Sequence, residues 1–310
     1  MRDFGPHLSL LTAAMSESEN LPFNFGGISE PECSEFGPAR ILVWPVPYEG
    51  TVSYGHGAAD GPRAIIEASR NMELYDEEVN GSVYRLGIHT LEELRAVDPP
   101  EAMMDSIERR AEELLDTGKF LVMLGGEHSI SGPVIRALGR RVKNLSVLQI
   151  DAHADLRESY DGTPHSHASI MARAVEVCPV VQVGIRSISE AEARRLPHTP
   201  TKIFWAKDVV GRTDWHEEAI SRLTENVYLT IDIDGLDPSL VPTTGTPEPG
   251  GLGWYDALGI IRAAARARNI VGMDVTELAP SPGNSSPDFL TAKLVYKSLS
   301  YIFEKTIQSP

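Results

Sequence analysis

Short, almost wholly apolar runs recur along the chain with helical patterns between them, and this alternation restricts the fold more than any other feature. The runs are Ile41–Trp44, Phe120–Leu124, Leu145–Ile150, Val180–Ile185, Lys202–Trp205, Val227–Ile233 and Ile270–Val275. Most are continuously apolar rather than alternating, which is the pattern of strands covered on both faces. Pro62 opens a helix expected to run through Ile65 and Ile66 toward Tyr75. Met104, Ile107, Ala111 and Leu114 form a stripe closed by Gly118, and Ser189 with Glu192 has the spacing of a capping box. Two further stripes follow, at Trp254, Leu258, Ile261 and Ala265 and at Ala292, Val295, Leu299 and Ile302. Strands alternating with helices imply one parallel sheet with helices on both faces.

The 310 residues, 42% of them apolar, suffice for a large α/β core. No linker or repeat divides them, so residues 39–310 read as a single α/β domain. Residues 1–38, with their Ser, Glu, Pro and Gly, read as an irregular N-terminal arm. A formal net charge of −16 disfavours nucleic acid and anionic membranes as partners, and suits cationic substrates or metal ions. Cys33 and Cys178 offer neither a disulfide framework nor a zinc spacing, and a reducing, cytoplasmic setting fits. No run of about 18 apolar residues is present to span a membrane.

The unusual residues stand at strand ends, where open α/β sheets bind ligands. Phe120–Leu124 runs into Gly125-Gly126-Glu127-His128-Ser129, and Leu145–Ile150 into Asp151-Ala152-His153-Ala154-Asp155. In extended chain, residues two apart point the same way, so positions 151, 153 and 155 can converge. The strand beginning at Val227 ends in Asp232-Ile233-Asp234-Gly235-Leu236-Asp237-Pro238, and the last strand ends in Thr276-Glu277. Asp237 before a proline reads as a turn former. Apolar strands that end repeatedly in Asp and His carry a heavy desolvation cost unless something compensates, and divalent metal is the natural compensation.

His128, Asp151, His153, Asp155, Asp232 and Asp234 offer two imidazoles and four carboxylates, whose four negative charges balance two divalent cations. An oxygen-rich set without cysteine favours a harder ion than structural zinc, Mn²⁺ first. Two ions about 3.5–4 Å apart would share a water and lower its pKa toward neutrality.

These blocks resemble the ureohydrolases, the arginase and agmatinase family. The resemblance rests on G-G-E-H-S at 125–129, D-A-H-A-D at 151–155, S-H-A-S at 166–169, D-I-D-G-L-D-P at 232–238, T-G-T-P at 244–247 and G-M-D-V-T-E at 272–277. It spans roughly residues 40–305, and Y-E-G-T-V-S-Y-G at 48–55 with G-P-R-A-I at 61–65 is most similar to agmatinases. The resemblance implies a three-layer α/β/α sandwich around a mainly parallel eight-stranded sheet, assembled as a homotrimer or homohexamer. It implies that the six strand-end residues hold two Mn²⁺ per subunit. His167 would carry protons, Glu277 would receive the substrate guanidinium, and Thr246 would line the same pocket.

The expected reaction is hydrolysis of a small cationic guanidino compound to urea and an amine, with agmatine giving putrescine the first expectation. Arginases carry an Asn two residues beyond the D-A-H-x-D block for the amino-acid end of arginine; here that position is Arg157. Arginine is therefore disfavoured. Glu158 and Asp161 are candidates for the distal ammonium of agmatine, whereas Arg157 leaves room for an anionic substrate such as 4-guanidinobutyrate. His165 is an alternative proton shuttle to His167, and Glu127 reads as a local partner or ligand-orienting group. A two-metal phosphoesterase would need more cationic groups than the motif loops offer. A catalytically silent binding relative would be expected to have lost a ligand, and all six positions are filled.

Overall fold

A computed structural model describes residues 21–308. Its strands are β1 (Ile41–Val46), β2 (Ile88–Thr90), β3 (Phe120–Gly125), β4 (Leu145–Ile150), β5 (Val180–Ile185), β6 (Thr201–Trp205), β7 (Asn226–Asp232) and β8 (Asn269–Thr276). They form one eight-stranded sheet in the order β2-β1-β3-β8-β7-β4-β5-β6. Every pairing is parallel.

Strand parity divides the core in two. On one face Ile41, Val43, Val122, Leu124, Leu148, Ile150, Leu229 and Ile231 pack with residues of helices Gly61–Ser69, Trp254–Ala267 and Ser286–Ile302. On the other, Leu42, Trp44, Leu121, Met123, Leu145, Val147 and Tyr228 pack with residues of Pro100–Leu115, Ser131–Arg141 and Ile170–Ala174. Each buried Leu, Ile or Val side chain contributes about 1.5–3 kcal/mol, so the strands' doubly apolar composition is what makes a covered parallel sheet favourable. This is the expected three-layer α/β/α architecture.

Local differences from the sequence reading have physical causes. β2 has only three residues, too few to show a period. β1 continues past Trp44 through Pro45, which has no N–H to give a ladder. Val43 accepts from Leu91 and Pro45 accepts from Leu94, so Pro45 faces the side where β2 has already ended. The helix begun at Pro62 stops at Ser69, short of Tyr75. There Ser69 Oγ donates back to the Ile66 carbonyl and accepts from the Gly26 N–H. The Ser189/Glu192 capping box is formed and starts helix Glu190–Arg195.

Residues 1–20 of the expected arm lie outside the described residues. Residues 21–38 are irregular apart from helix Pro31–Ser34, and Phe25 and Ile28 are buried against the main core. Among the described residues no helix is long and apolar enough to cross a membrane.

The carboxyl ends of β1 and β3 are pressed together where the site begins. Gly126 N–H donates to the Val46 carbonyl, and Glu127 N–H to the Tyr48 carbonyl. A Cβ on Gly126 would lie 2.0 Å from the Tyr48 carbonyl oxygen, which is backbone and cannot swing away. Gly126→Ala is therefore expected to cost about 1–3 kcal/mol of stability, measured by denaturant unfolding. An unshifted midpoint would show that the two strand ends are not held this close.

Candidate metal centre and substrate pocket

The four strands β3, β8, β7 and β4 are neighbours at the middle of the sheet, and their carboxyl ends deliver the expected residues to one place. His128 follows β3, Asp151 follows β4, Asp232 ends β7 and Glu277 follows β8. His128 Nδ1 lies 3.1 Å from Asp151 Oδ2, 3.2 Å from Asp155 Oδ2 and 3.4 Å from Asp232 Oδ2. His153 Nδ1 lies 2.9 Å from Asp234 Oδ2 and 3.7 Å from Asp151 Oδ1. Two groups able to hold an ion result, His128–Asp151–Asp232 and Asp151–His153–Asp234. They share Asp151, one of whose oxygens serves each group. Asp155 flanks the first group through His128.

The loops are bent to aim these side chains. Asp155 and Glu277 adopt left-handed backbone angles, φ 51° and 66°, a conformation that costs a non-glycine residue roughly 1–3 kcal/mol. Asp234 Oδ1 accepts from Ala152 N–H and Asp232 Oδ1 from Asp234 N–H, so the same carboxylates also hold the two acidic loops in place. Arg186 clamps the same loops by donating to the carbonyls of Asp234, Gly235, Leu236 and Glu248. Asp237 accepts from Ser239, Gly250 and Gly251, the turn role its sequence context suggests.

The donor set fits divalent cations. Thr230 Oγ1 donates to Asp274 Oδ1 at 2.6 Å, and Tyr228 donates to the other oxygen of Asp274 at 2.6 Å. With its proton so committed, Thr230 accepts from His128 Nε2–H at 2.8 Å. His128 Nδ1 is buried, points at three carboxylates and makes no well-aligned hydrogen bond. Burial opposes its imidazolium, but Asp151, Asp155 and Asp232 outweigh it and raise that imidazole well above its usual range, so the carboxylates draw positive charge to this spot. A divalent cation among them would take the place of that proton.

Titration behaviour points the same way. Burial first, then Asp234 and Asp151, drives the Asp232 carboxyl well above its usual range. Burial and the Asp151 charge push Asp155 up to about 7. Burial opposes the imidazolium of His153, but Asp234 and Asp151 outweigh it and raise that group to about 12. So many buried carboxylates do not stay ionised together without positive charge among them.

A pocket of about 140 Å³ opens over these groups, lined among others by Tyr54, Arg157, Tyr160, His167, Thr246 and Glu277. Glu277 Oε1 accepts from the His128 N–H at 2.7 Å. Burial, then repulsion from Glu127, pushes its carboxyl well above the usual range, a cost that a cationic substrate would relieve. Thr246 Oγ1 is 3.4 Å from Asp234 Oδ2. Burial lowers the His167 imidazole to about 4, so the ring is neutral at physiological pH. A larger groove of about 1110 Å³, near Arg40, Lys119 and Arg268, lies at the opposite ends of the strands and holds none of these groups.

Two expectations require correction. Glu158 does not line the pocket; its carboxylate is engaged by Arg195 and Arg173. Asp161 is exposed in a turn, and His165 is likewise not among the residues lining the pocket. Arg157 does line it, but with Nε 4.0 Å from Glu192 and its guanidinium over the Tyr160 ring at 5.1 Å. Thr230, Asp274 and Arg186 escape sequence reasoning, and Glu192 is legible there only as a helix cap. The available signal was a polar residue inside an otherwise apolar strand, as at Thr230 and Asp274.

Because Asp151 belongs to both groups, Asp151→Ala is expected to abolish binding of both ions, whereas His128→Ala and His153→Ala each weaken mainly one. Metal content after dialysis, read by atomic absorption, checks this. Full occupancy in Asp151→Ala would contradict the shared-carboxylate geometry.

Known proteins share this arrangement of elements and much of the sequence. Residues 39–300 match the arginase family model. An N(1)-aminopropylagmatine ureohydrolase of Synechocystis sp. is 39% identical over 277 residues, covering 86% of this chain and 90% of the relative. An agmatinase of Bacillus anthracis is 34% identical over 266 residues, covering 79% and 85%. The crystal structure of the agmatine ureohydrolase of Thermoplasma volcanium superposes with a TM-score of 0.82 at 27% identity, covering 94% of this chain and 98% of that one. The strand-end acids, the shared Asp151 and this similarity over most of the length lead to one conclusion: the chain belongs to the arginase family.

Proposed function

We propose that this protein hydrolyses the guanidino group of an aliphatic guanidine with a cationic tail, releasing urea and an amine. The observation that carries the reading is the pair of ion-holding groups joined at Asp151, with Glu277 and His167 facing one pocket above them. The 39% identical relative acts on N(1)-aminopropylagmatine, which favours that substrate; the 34% identical agmatinase supports agmatine as the second reading. The catalytic domain in this reading runs over 39–310, with 1–38 as an arm, in a cytoplasmic homotrimer or homohexamer.

The six residues His128, Asp151, His153, Asp155, Asp232 and Asp234 would hold two divalent ions, Mn²⁺ by the hardness of the donors. When bound, such ions lower the pKa of a water toward neutrality and polarise an oxygen. Glu277 pairs with the planar guanidinium and fixes its carbon above the metal groups. Water adds to that carbon, the bond from carbon to the alkyl-bearing nitrogen breaks, and that nitrogen leaves as a protonated amine. His167, neutral and lining the pocket, takes a proton from the attacking water and passes it to the leaving nitrogen, which also receives the water's second proton as the new carbon–oxygen bond becomes the urea carbonyl. Thr246, hydrogen-bonded to Asp234, limits how the guanidinium turns.

Urea release from N(1)-aminopropylagmatine, agmatine, 4-guanidinobutyrate and arginine, with Mn²⁺ added, tests the assignment. The two cationic polyamine precursors are expected to have the highest kcat/KM, and arginine the lowest. Absence of urea from all four in the metal-replete protein would refute it. His167→Ala is expected to keep its metal and lose about 10²–10⁴-fold in kcat. Undiminished kcat in that variant would remove His167 from the proton path.

A further inference from the structure

Segment 48–55 leaves the end of β1 and forms one wall of the pocket through Val52, Ser53, Tyr54 and Gly55. Its base is stapled by Glu49, which accepts from the N–H groups of Gly57 and Ala59. Within this loop, Thr51 makes the closest link between the β3 end and His167. Its N–H donates to Glu127 Oε2 at 2.6 Å, and its hydroxyl donates to Glu127 Oε1 at 2.7 Å. Glu127 is fully buried and also accepts from Ser129 Oγ, so its oxygens act as acceptors for the whole cluster. The Thr51 oxygen in turn accepts from the His167 backbone N–H at 3.1 Å and stands 3.3 Å from His167 Nδ1.

The direction of these bonds follows from proton counting. A threonine hydroxyl has one hydrogen, and here a carboxylate takes it. At Thr51 Oγ1, with Glu127 ionised, His167 Nδ1 is then the donor. Ser166 Oγ also lies near that nitrogen, at 3.4 Å; it accepts from the Ala168 N–H and has a second lone pair able to accept from Nδ1–H as well. With Nδ1 protonated, Nε2 keeps the lone pair and is the nitrogen that exchanges protons.

We propose that Thr51, oriented by Glu127, is a positioning residue for this reaction. It fixes the tautomer and the seat of His167 without touching substrate or metal. This inference rests on the reading of His167 as the proton carrier. It also gives segment 48–55, which is most similar to agmatinases in sequence, a mechanical task. Glu127 does not serve as a metal ligand here: both its oxygens are engaged by Thr51 and Ser129.

The test is a cycle among Thr51→Val, Thr51→Ser and His167→Ala in the full-length, Mn²⁺-loaded protein, with urea release from N(1)-aminopropylagmatine and agmatine. Thr51→Val keeps the shape and removes the hydroxyl. It is expected to bind metal as the parent does, hold KM within about twofold and lose about 10–100-fold in kcat, the range seen when an orienting partner is removed. Thr51→Ser, which restores the hydroxyl, is expected to recover most of the rate. In the double variant with His167→Ala, Thr51→Val should add no further loss, because Thr51 acts through the ring. Three results would overturn the proposal: an unimpaired Thr51→Val, a Thr51→Ser as slow as Thr51→Val, or the same fractional loss with and without His167. A His167→Ala protein of full activity would instead strike at the acid/base reading beneath it, and the Thr51 role would fall with it.

Discussion

Burial of like charges is the constraint on which this structure depends. Asp151, Asp155, Asp232 and Asp234 are each at most 6% exposed, and Glu277 is 7% exposed. Removing an isolated carboxylate from water costs several kcal/mol even after relaxation, and repulsion between neighbours adds to it. Few loops could bear that cost alone. Here the acids stand at the ends of four adjacent central strands, where a rigid sheet fixes their separations and backbone N–H groups take some of their oxygens. The remaining unfavourable energy makes the cluster a strong cation site, and two imidazoles complete it.

The support beneath the cluster comes from strand register. Gln182 on β5 pairs with Gln149 on β4, Gln149 with Thr230 on β7, and Thr230 with Asp274 on β8. Four polar residues thus form a row across the sheet, one step below the ligands. Gln149 donates to Asp151 Oδ2 at 2.6 Å, and Thr230 accepts from His128. A shift of one residue in any of these pairings would turn a polar side chain to the opposite, apolar face. The same register that positions the ligands therefore opposes slippage of the parallel strands, because misplaced polar groups would be buried without partners.

This division explains what could be read in the sequence. Strand-end acids are visible because each follows directly on an apolar run, so Asp151, Asp232 and their neighbours needed only period-two geometry and position. The row Gln182–Gln149–Thr230–Asp274 was not legible, since a single polar residue in a strand has no meaning until its neighbours across the sheet are known. β2 failed for want of length. The misplaced expectation for Glu158 has a different cause. It rests on the position of Glu158 just after the D-A-H-A-D block, where an acid could meet a distal ammonium, whereas Glu158 is turned toward Arg173 and Arg195, and Arg157 stands beside Glu192. Glu192 had been recognised only as a helix cap, and the structure shows it doing that while also accepting from the Leu156 N–H beside the pocket.

Chemistry and selectivity consequently reside in different parts of the molecule. The ion-holding groups are built on strand ends, whose geometry is set by the sheet and is hard to vary without losing the fold. His167 and the pocket wall are carried by loops, 48–55 and 160–168, held to the sheet by a few hydrogen bonds such as those of Thr51. A guanidino group presents the same planar cation whatever its tail, so on the proposed reading Glu277 and the groups able to hold an ion would not separate one alkylguanidine from another. Discrimination must come from the outer wall, where Tyr54 is 80% exposed and Arg157 lies beside Tyr160 and Glu192. Arg157 Nε stands 4.0 Å from Glu192, so the arginine on that wall has an acid beside it. On the proposed reading, the fit of the tail against Tyr54 and Tyr160 would separate agmatine from its aminopropyl derivative.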